Sequence, residues 1–242
     1  GKCGSCSAEV NGKARLMCMT RMEGILEETP EGEPVVIKPM QAFPLTKDLV
    51  TDTSWAYKTD RRINPINGPD EPDWEFYQEE ADRLQEFRSC IECMLCVNTC
   101  HVLREHQKFD EFAGPRFFVR LAGLEMHPLD TENRIPQIKD DFGIGYCNIT
   151  RCCTEVCPAG IQITDNAIIP LKERLVTEYY DPLAIIARML GIKEKSPEPS
   201  RRLYVGDENV GMAKRALKRE RVRSEETRKL ERARVENARG KR

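Results

Sequence analysis

The spacing of the cysteines constrains this chain more than any other feature of its sequence. Eleven cysteines occur in 242 residues, and most of them fall in two tight groups, CIECMLCVNTC at 90–100 and CNITRCCTEVC at 147–157. In a short secreted protein such a count indicates disulfides, but here C-x2-C pairs lie within a long, charged chain. The pattern therefore favours metal binding by thiolates.

The first group matches a ligand pattern of iron–sulfur clusters. Its spacing, C-x2-C-x2-C-x3-C, is that of bacterial ferredoxins, in which three nearby thiolates bind one cubane and the fourth reaches the other cluster. In the second group the same spacing selects Cys147, Cys153 and Cys157, but Thr150 stands at the second position. One ligand of that run is therefore missing.

The crossed use of the fourth cysteine assigns the ligands of two clusters. The spacing predicts a [4Fe–4S] cluster on Cys90, Cys93, Cys96 and Cys157, and a [3Fe–4S] cluster on Cys100, Cys147 and Cys153. Cys152 is left over: it is either a small buried apolar residue or a fourth ligand, for which its adjacency to Cys153 is awkward. Structural zinc is the alternative for the whole pattern, but zinc prefers paired C-x2-C knuckles with four ligands at each site.

Three more cysteines, Cys3, Cys6 and Cys18, lie near the start of the chain. The plant-type [2Fe–2S] pattern is C-x4-C-x2-C followed by a distant cysteine, and these three match its last three members. We therefore expect a [2Fe–2S] cluster whose fourth ligand lies upstream of residue 1, in a domain that this chain holds only in part. The alternative is an isolated zinc or redox pair at Cys3 and Cys6.

Local patterns predict an α+β fold. Asn11-Gly12 separates two short strand-like runs and is a strong hairpin signal, because both residues tolerate positive φ. A further strand is predicted at 34–38, and apolar residues at helical spacing predict helices at 75–89, 115–126, 164–180 and 182–190. Pro170 indicates a late start or a kink in the third of these helices.

These patterns divide the chain into four segments. We expect the C-terminal part of a β-grasp [2Fe–2S] ferredoxin domain at 1–45, a connecting segment at 46–74, a helical bacterial-ferredoxin-like domain at 75–192 and an extended charged arm at 193–242.

The charge of the chain is unevenly distributed. Lys and Arg number 38 against 40 Asp and Glu, yet residues 214–242 hold thirteen basic and five acidic residues. The body is therefore acidic, which argues against nucleic acid as a partner. We expect the arm to be solvated, with pairs such as Glu225–Lys229, or to bind anionic lipid or an acidic partner. The sequence predicts neither a membrane span nor an export signal.

With the segments PLTKDLVTDTS and CNITRCCTEVCPAGI, the three cysteine groups resemble those of the iron–sulfur subunits of succinate dehydrogenase and fumarate reductase, over about residues 1–185. The chain is most similar to the actinobacterial type, which uses menaquinone. The resemblance implies that a partner flavoprotein with FAD oxidises succinate. Electrons then pass through [2Fe–2S], [4Fe–4S] and [3Fe–4S] clusters to a quinone at a membrane-anchor subunit, for example of the cytochrome b type. This chain would have no succinate site, and its partners would hold it at the cytoplasmic face of the bacterial membrane.

The sequence departs from many relatives near the second cluster. His101 stands where proline is common, Glu105 where a quinone-contacting tryptophan falls, and Asn148 where histidine is frequent. The quinone-site residues of the family are therefore not carried over. His101 and His106 are interpreted either as packing residues or as a proton relay to quinone, since imidazole titrates near neutrality.

A second functional interpretation is kept beside the first. The chain would then serve a fumarate reductase, another flavoprotein or a heterodisulfide-reductase-like complex, with the same clusters and a different terminal substrate. Thr150 at the ligand gap implies a [3Fe–4S] cluster and favours the quinone-linked interpretation.

Overall fold

The structure is a computed structural model that describes residues 1–68, 77–182 and 185–186. It begins with a small antiparallel sheet of three strands, β1 (Ser7–Val10), β2 (Lys13–Leu16) and β3 (Ile37–Lys38), in which β1 lies in the middle. Asn11 and Gly12 have φ values of 50° and 75°, the positive values that the β1–β2 turn requires. The predicted hairpin is thus confirmed, whereas the third strand covers only the last two residues of the predicted 34–38.

Several short elements follow that the apolar pattern did not predict. They are α1 (Met22–Glu28), a two-stranded sheet of β4 (Leu45–Lys47) and β5 (Val50–Thr51), and α2 (Ser54–Asp60). Trp55 anchors α2 to the helical region, because its Nε1 donates to the Phe109 carbonyl at 2.9 Å. Its ring also packs edge-on against Phe109 and Phe117, with centroids 4.9 and 5.5 Å away. The segment after residue 45 therefore carries secondary structure of its own.

The rest of the described chain is helical. Its α-helices are α3 (Gln78–Arg88), α4 (Leu95–Asn98), α5 (His101–Arg104), α6 (Pro115–Glu125), α7 (Ile135–Asp140), α8 (Cys152–Glu155) and α9 (Ile169–Tyr180). Helix α6 lies at the centre and packs against α3, α4 and the segment Ile163–Ile168. Phe117, Phe118 and Leu121 are fully buried, as their spacing predicts, and Leu124 is half-buried. Burial of each such side chain stabilises the fold by about 1.5–3 kcal/mol.

The helix predicted from residue 164 is divided into two parts. Ile163–Ile168 forms a wide helical turn of the π type, and the α-helix proper begins at Ile169. Pro170 explains the division, because it has no N–H and its ring excludes the carbonyl four residues before it. The helix predicted at 182–190 lies mostly outside the described residues, and the arm at 193–242 lies wholly outside them.

A buried polar network joins the β-sheet to the helices. Glu9 on β1 is 2% exposed. It accepts a hydrogen bond from Asn98 Nδ2 at 2.8 Å and forms an ion pair with Arg104 Nη1 at 2.6 Å. Asn98 Oδ1 in turn accepts from the Ala42 N–H at 3.0 Å. Because every buried group has a partner, the network holds the two regions in one arrangement.

Among the helices in the described ranges, none combines the length and the hydrophobicity needed to cross a membrane.

Candidate cluster-binding sites

The two cysteine loops of the helical region follow the same backbone path. Glu92 and Met94 in the first loop have left-handed φ values of 56° and 61°, and Ile149 and Arg151 occupy the matching positions of the second loop with 62° and 65°. Each loop then enters a four-residue helix, α4 or α8. Alternating right- and left-handed residues form a concave row of backbone N–H groups, which is found at iron–sulfur sites. Both loops therefore have the shape of a cluster loop.

The first cavity lies inside the first loop and has an empty volume of about 360 Å³, part of it open to solvent. Its wall contains four cysteines: Cys90, Cys93, Cys96 and Cys157. Ile91, Val119 and Ile161 add apolar surface. Cys157 belongs to the second cysteine group, so the first cavity brings together the four residues that the crossed pattern selects.

The second cavity lies beside the second loop and has an empty volume of about 280 Å³. Three of its cysteines are those that the spacing selects: Cys100, Cys147 and Cys153. Thr150 and Cys152 line it as well, and so does His101. Cys152 is only half-buried, so its side chain is not a fully enclosed apolar residue.

Burial raises the pKa of three thiols in the first cavity, Cys90, Cys93 and Cys96, and of two in the second, Cys100 and Cys153. The pKa is about 11 for Cys93, Cys100 and Cys153, and burial raises the pKa of Cys96 well above the ordinary thiol value. Neighbouring thiols add to this effect, because thiolates repel one another in a dry site. Bound iron would supply the missing positive charge, and soft thiolates around a largely apolar cavity are the donors that an iron–sulfur cluster uses.

Within the described ranges, no three His, Cys, Asp or Glu side chains are placed to hold a single metal ion. In a multi-iron cluster each thiolate binds its own iron, so the ligands line a cavity instead of meeting at one atom.

The third site lies beside the β1–β2 hairpin. The Cys18 N–H donates to Cys6 Sγ at 3.4 Å, and the Ser5 hydroxyl donates to Cys3 Sγ at 3.3 Å. Cys3 and Cys18 are exposed, whereas Cys6 is half-buried. The Ser5 hydroxyl, and after it the backbone N–H of Ser5, lowers the pKa of Cys3. The three cysteines thus lie near one another, on a loop with more solvent access than the two cavities.

The loop before β1, residues 3–6, and the first residue of β1 touch the first cavity loop directly. The Ser7 hydroxyl donates to the Cys93 carbonyl at 2.7 Å. Gly4 has a φ of 70°, and a Cβ at this position would lie 2.7 Å from the Cys93 Cα. Only glycine permits this approach of two backbones. The sequence around Gly4 indicates a tight loop but carries no signal for the neighbour that the loop meets.

Two further residues at the cavities were not predicted from the sequence. Arg116 lines the first cavity with its side chain 4% exposed, and it forms ion pairs with Asp60 at 2.7 Å and with Glu92. Thr164 lines the second cavity, where its Oγ1 lies 3.6 Å from Cys153 Sγ. Both arise from contacts between distant segments, for which the local pattern carries no signal. The fold and the three cysteine sites define an iron–sulfur protein with a β-sheet region followed by a helical two-cluster region.

Comparisons with known proteins agree with this class. The 2Fe-2S iron–sulfur cluster binding domain family matches residues 1–58, and the 4Fe-4S dicluster domain family matches residues 86–161. The solved structure of the Mycobacterium smegmatis Sdh1 complex in the apo form contains a chain that is 53% identical to this one, with a TM-score of 0.71. The match covers 76% of this chain and 77% of that chain. The chain belongs to the family of succinate dehydrogenase iron–sulfur subunits.

The matches to more distant relatives cover different shares of those proteins. The succinate dehydrogenase iron–sulfur subunit of Bacillus subtilis is 26% identical over 172 residues, 68% of this chain and 64% of that protein. A subunit of the fumarate reductase (CoM/CoB) of Methanothermobacter marburgensis is 29% identical over 188 residues, 76% of this chain. The chain spans about a third of the length of that protein and of two uncharacterized archaeal iron–sulfur proteins.

Proposed function

We propose that this chain is the electron-transfer subunit of a succinate:quinone oxidoreductase. Its partners in this proposal are an FAD flavoprotein, which oxidises succinate, and a membrane-anchor subunit, beside which menaquinone is reduced. The pair of cavities that exchange one cysteine is the observation that carries the proposal, together with the 53% identity to a chain of the Sdh1 complex. The chain itself holds no succinate site in this arrangement.

The cysteines divide among three clusters. Cys3, Cys6 and Cys18 hold [2Fe–2S]; Cys90, Cys93, Cys96 and Cys157 hold [4Fe–4S]; Cys100, Cys147 and Cys153 hold [3Fe–4S]. Bound clusters accept and release single electrons at potentials set by their type, charge, burial and hydrogen bonds.

Contacts within this chain link the three proposed cluster sites in a fixed order. Ser7, at the start of β1, joins the first cysteine region to the first cavity loop through the Cys93 carbonyl. Helix α4 then joins the two cavities, because Cys96 on it lines the first cavity and Cys100, two residues after its end, lines the second. Three sites in contact from one to the next support a relay from flavoprotein to quinone.

Arg116 gives the first cavity a buried positive charge, partly neutralised by Asp60 and Glu92. A cation at this position favours the reduced, more negative form of a bound cluster. The apolar side chains of the wall, Ile91, Val119 and Ile161, lower the local dielectric, which strengthens this effect.

Succinate itself is the test of the proposed function. The chain is co-expressed with its flavoprotein and anchor partners, and the purified complex is frozen before and after anaerobic addition of succinate. We expect EPR to show reduction of the [3Fe–4S] and [2Fe–2S] centres by succinate. Reduction by dithionite but not by succinate would contradict the proposal.

The crossed ligands have their own test. We expect Cys157→Ser to abolish the [4Fe–4S] signal although Cys157 lies in the second group, and Cys100→Ser to abolish the [3Fe–4S] signal although it lies in the first. The opposite pattern would assign each cluster to its own loop. Each variant serves as the control for the other.

The relative named fumarate reductase favours one alternative, in which the same subunit carries electrons toward fumarate. Steady-state rates of the purified complex with succinate and a quinone, and with fumarate and a quinol, separate the two directions. We also propose that the complex lies at the cytoplasmic face of the membrane and that partner subunits attach this chain there. Release of the chain from membranes that lack the anchor subunit checks the attachment.

A further inference from the structure

The second cavity has one cysteine more than its proposed cluster needs. Cys100, Cys147 and Cys153 are the three proposed ligands, and Cys152 lines the same cavity. The site therefore offers four thiols, the number that a [4Fe–4S] cluster uses.

The matching backbones of the two loops show where a fourth ligand belongs. Thr150 occupies the position equivalent to Cys93, which lines the first cavity, and Thr150 likewise lines the second. Cys152 Sγ lies 3.4 Å from Thr150 Oγ1. The Cys152 sulfur is thus within van der Waals distance of the side-chain atom that replaces the missing thiol.

The residue equivalent to Cys152 in the first loop behaves differently. Leu95 is 1% exposed, packs against Ala14 and Leu16, and is not among the residues that line the first cavity. Cys152 is half-buried and lines the cavity. Consecutive residues on a helix point about 100° apart, so Cys152 and Cys153 at the start of α8 can both border one cavity.

We propose that Cys152 is a fourth thiolate of the second cavity, and that this site takes up one iron and releases it again, converting [3Fe–4S] to [4Fe–4S] and back. This inference rests on the proposed function, which puts a [3Fe–4S] cluster in the second cavity. It adds an exchangeable iron site that the three-ligand assignment does not contain.

The conversion needs two reagents from solution, a one-electron reductant and Fe²⁺, and with them its atoms and charges balance. One electron from a reductant such as dithionite converts [3Fe–4S]⁺ to the neutral cluster, which binds Fe²⁺ at its open corner. The Cys152 sulfur forms a bond to the added iron and its thiol proton leaves to solvent, so that the product core is [4Fe–4S]²⁺. Oxidation with ferricyanide reverses the step and releases the iron.

The test uses the complete purified complex with its flavoprotein and anchor subunits. The complex is oxidised with ferricyanide, checked for the [3Fe–4S]⁺ EPR signal, and incubated anaerobically with dithionite and isotopically enriched Fe²⁺. Unbound iron is removed by gel filtration, and Mössbauer spectra show whether the added iron is in a cluster. We expect the unchanged protein to gain about one cluster iron per complex and Cys152→Ala to gain none.

Two further variants make the result specific. Thr150→Cys restores the full ferredoxin spacing and should take up the iron, which shows that the conditions permit conversion. Thr177→Val changes an exposed residue of helix α9, outside the lining of both cavities, and it should behave as the unchanged protein does.

Each remaining outcome has a definite meaning. Uptake by Thr150→Cys but not by the unchanged protein overturns the role of Cys152 and leaves the proposed function standing, as does equal uptake with and without Cys152. Thr150→Cys is left out of the next comparison, because it restores the four-cysteine run. If the unchanged protein and the other variants show no [3Fe–4S]⁺ signal, and succinate does not reduce the complex, the proposed function and this inference are both overturned. Succinate-reducible clusters without that signal overturn the inference alone.

Discussion

The Thr164 hydroxyl lies beside Cys153, a proposed ligand of the second cavity. Thr164 Oγ1 is 3.6 Å from Cys153 Sγ, and both residues are buried. A hydroxyl that donates to a cluster sulfur stabilises the added charge of the reduced form and raises its potential. We expect Thr164→Val to lower the potential of the second centre by roughly 50 mV, measured by redox titration with EPR detection.

The control for this substitution is Thr177→Val on helix α9. The Thr177 hydroxyl donates to the Glu173 carbonyl on an exposed face, so its loss should leave the potential unchanged. Equal potentials for Thr164→Val and the unchanged protein would show that the hydroxyl does not act on the cluster.

The pKa values of Cys3 and Cys93 are shifted from the ordinary thiol value in opposite directions. Hydrogen bonding to Ser5 lowers the pKa of Cys3, whereas burial raises that of Cys93 to about 11. The thiolate is the reactive form. In the cluster-free protein we therefore expect alkylation of Cys3 to reach half of its maximal rate at a pH below the ordinary thiol pKa. Alkylation of Cys93 should reach half of its maximal rate only at a pH well above that value. Mass spectrometry of iodoacetamide-treated samples measures both, each relative to its own plateau, and coincident midpoints would contradict the two environments.

At the scale of elements, the close approach of the loop before β1 to the first cavity loop requires a glycine at position 4. Gly4→Ala introduces a Cβ 2.7 Å from the Cys93 Cα and also strains a φ of 70°. We expect a loss of about 2–4 kcal/mol in stability, because two backbones must separate, and a lower melting temperature of the complex.

Gly12 supplies a matched control for that substitution. Its φ is 75°, but nothing lies within 4 Å of the added Cβ. Gly12→Ala should therefore cost only about 1 kcal/mol, the penalty of the left-handed backbone alone. If the two variants have the same melting temperature, the close approach at Cys93 does not add to the cost of the Gly4→Ala substitution.

The elements show which local signals are sufficient. The hairpin at Asn11-Gly12 and the central helix α6 follow from turn chemistry and apolar spacing, and the structure has both. Helix α2 lacks a comparable apolar stripe and is held by Trp55 against residues far along the chain. The wide turn before Ile169 was also missed, because Pro170 indicates an interruption but does not specify the geometry that accommodates it.

At the scale of the whole molecule, Glu9 joins the sheet to the helices. Removing its carboxylate leaves the buried Asn98 Nδ2 without its hydrogen-bond acceptor and Arg104 without its ion pair to Glu9. We expect Glu9→Ala to destabilise the protein by about 3 kcal/mol, because uncompensated buried polar groups are costly. That loss corresponds to a melting temperature lower by roughly 6–12 °C, which calorimetry of the purified complex measures.

Glu28→Ala is the matched control for Glu9→Ala. Glu28 also pairs with basic residues, Lys13 and Arg15, but its side chain is 42% exposed. Water replaces such contacts readily, so the change should be within about 1 kcal/mol. A comparable loss for the two variants would mean that the Glu9 network does not join the two regions.

The candidate sites were more predictable than the fold around them. Cluster ligands repeat at spacings set by the loop geometry, so the sequence could indicate that Cys157 joins the first cavity and Cys100 the second. The ion pairs of Arg116, the approach of Gly4 and the network of Glu9 join residues distant in sequence. No local pattern encodes such contacts, since they depend on how the finished elements pack.

Cys100 and Cys157 each line the cavity of the other loop, so under the proposed ligand assignment neither segment alone would hold a complete iron centre. We therefore expect insertion of the inorganic cofactors to follow the meeting of 90–100 and 147–157, and damage to one centre to loosen its neighbour. In such a molecule the two cluster sites are completed together or not at all.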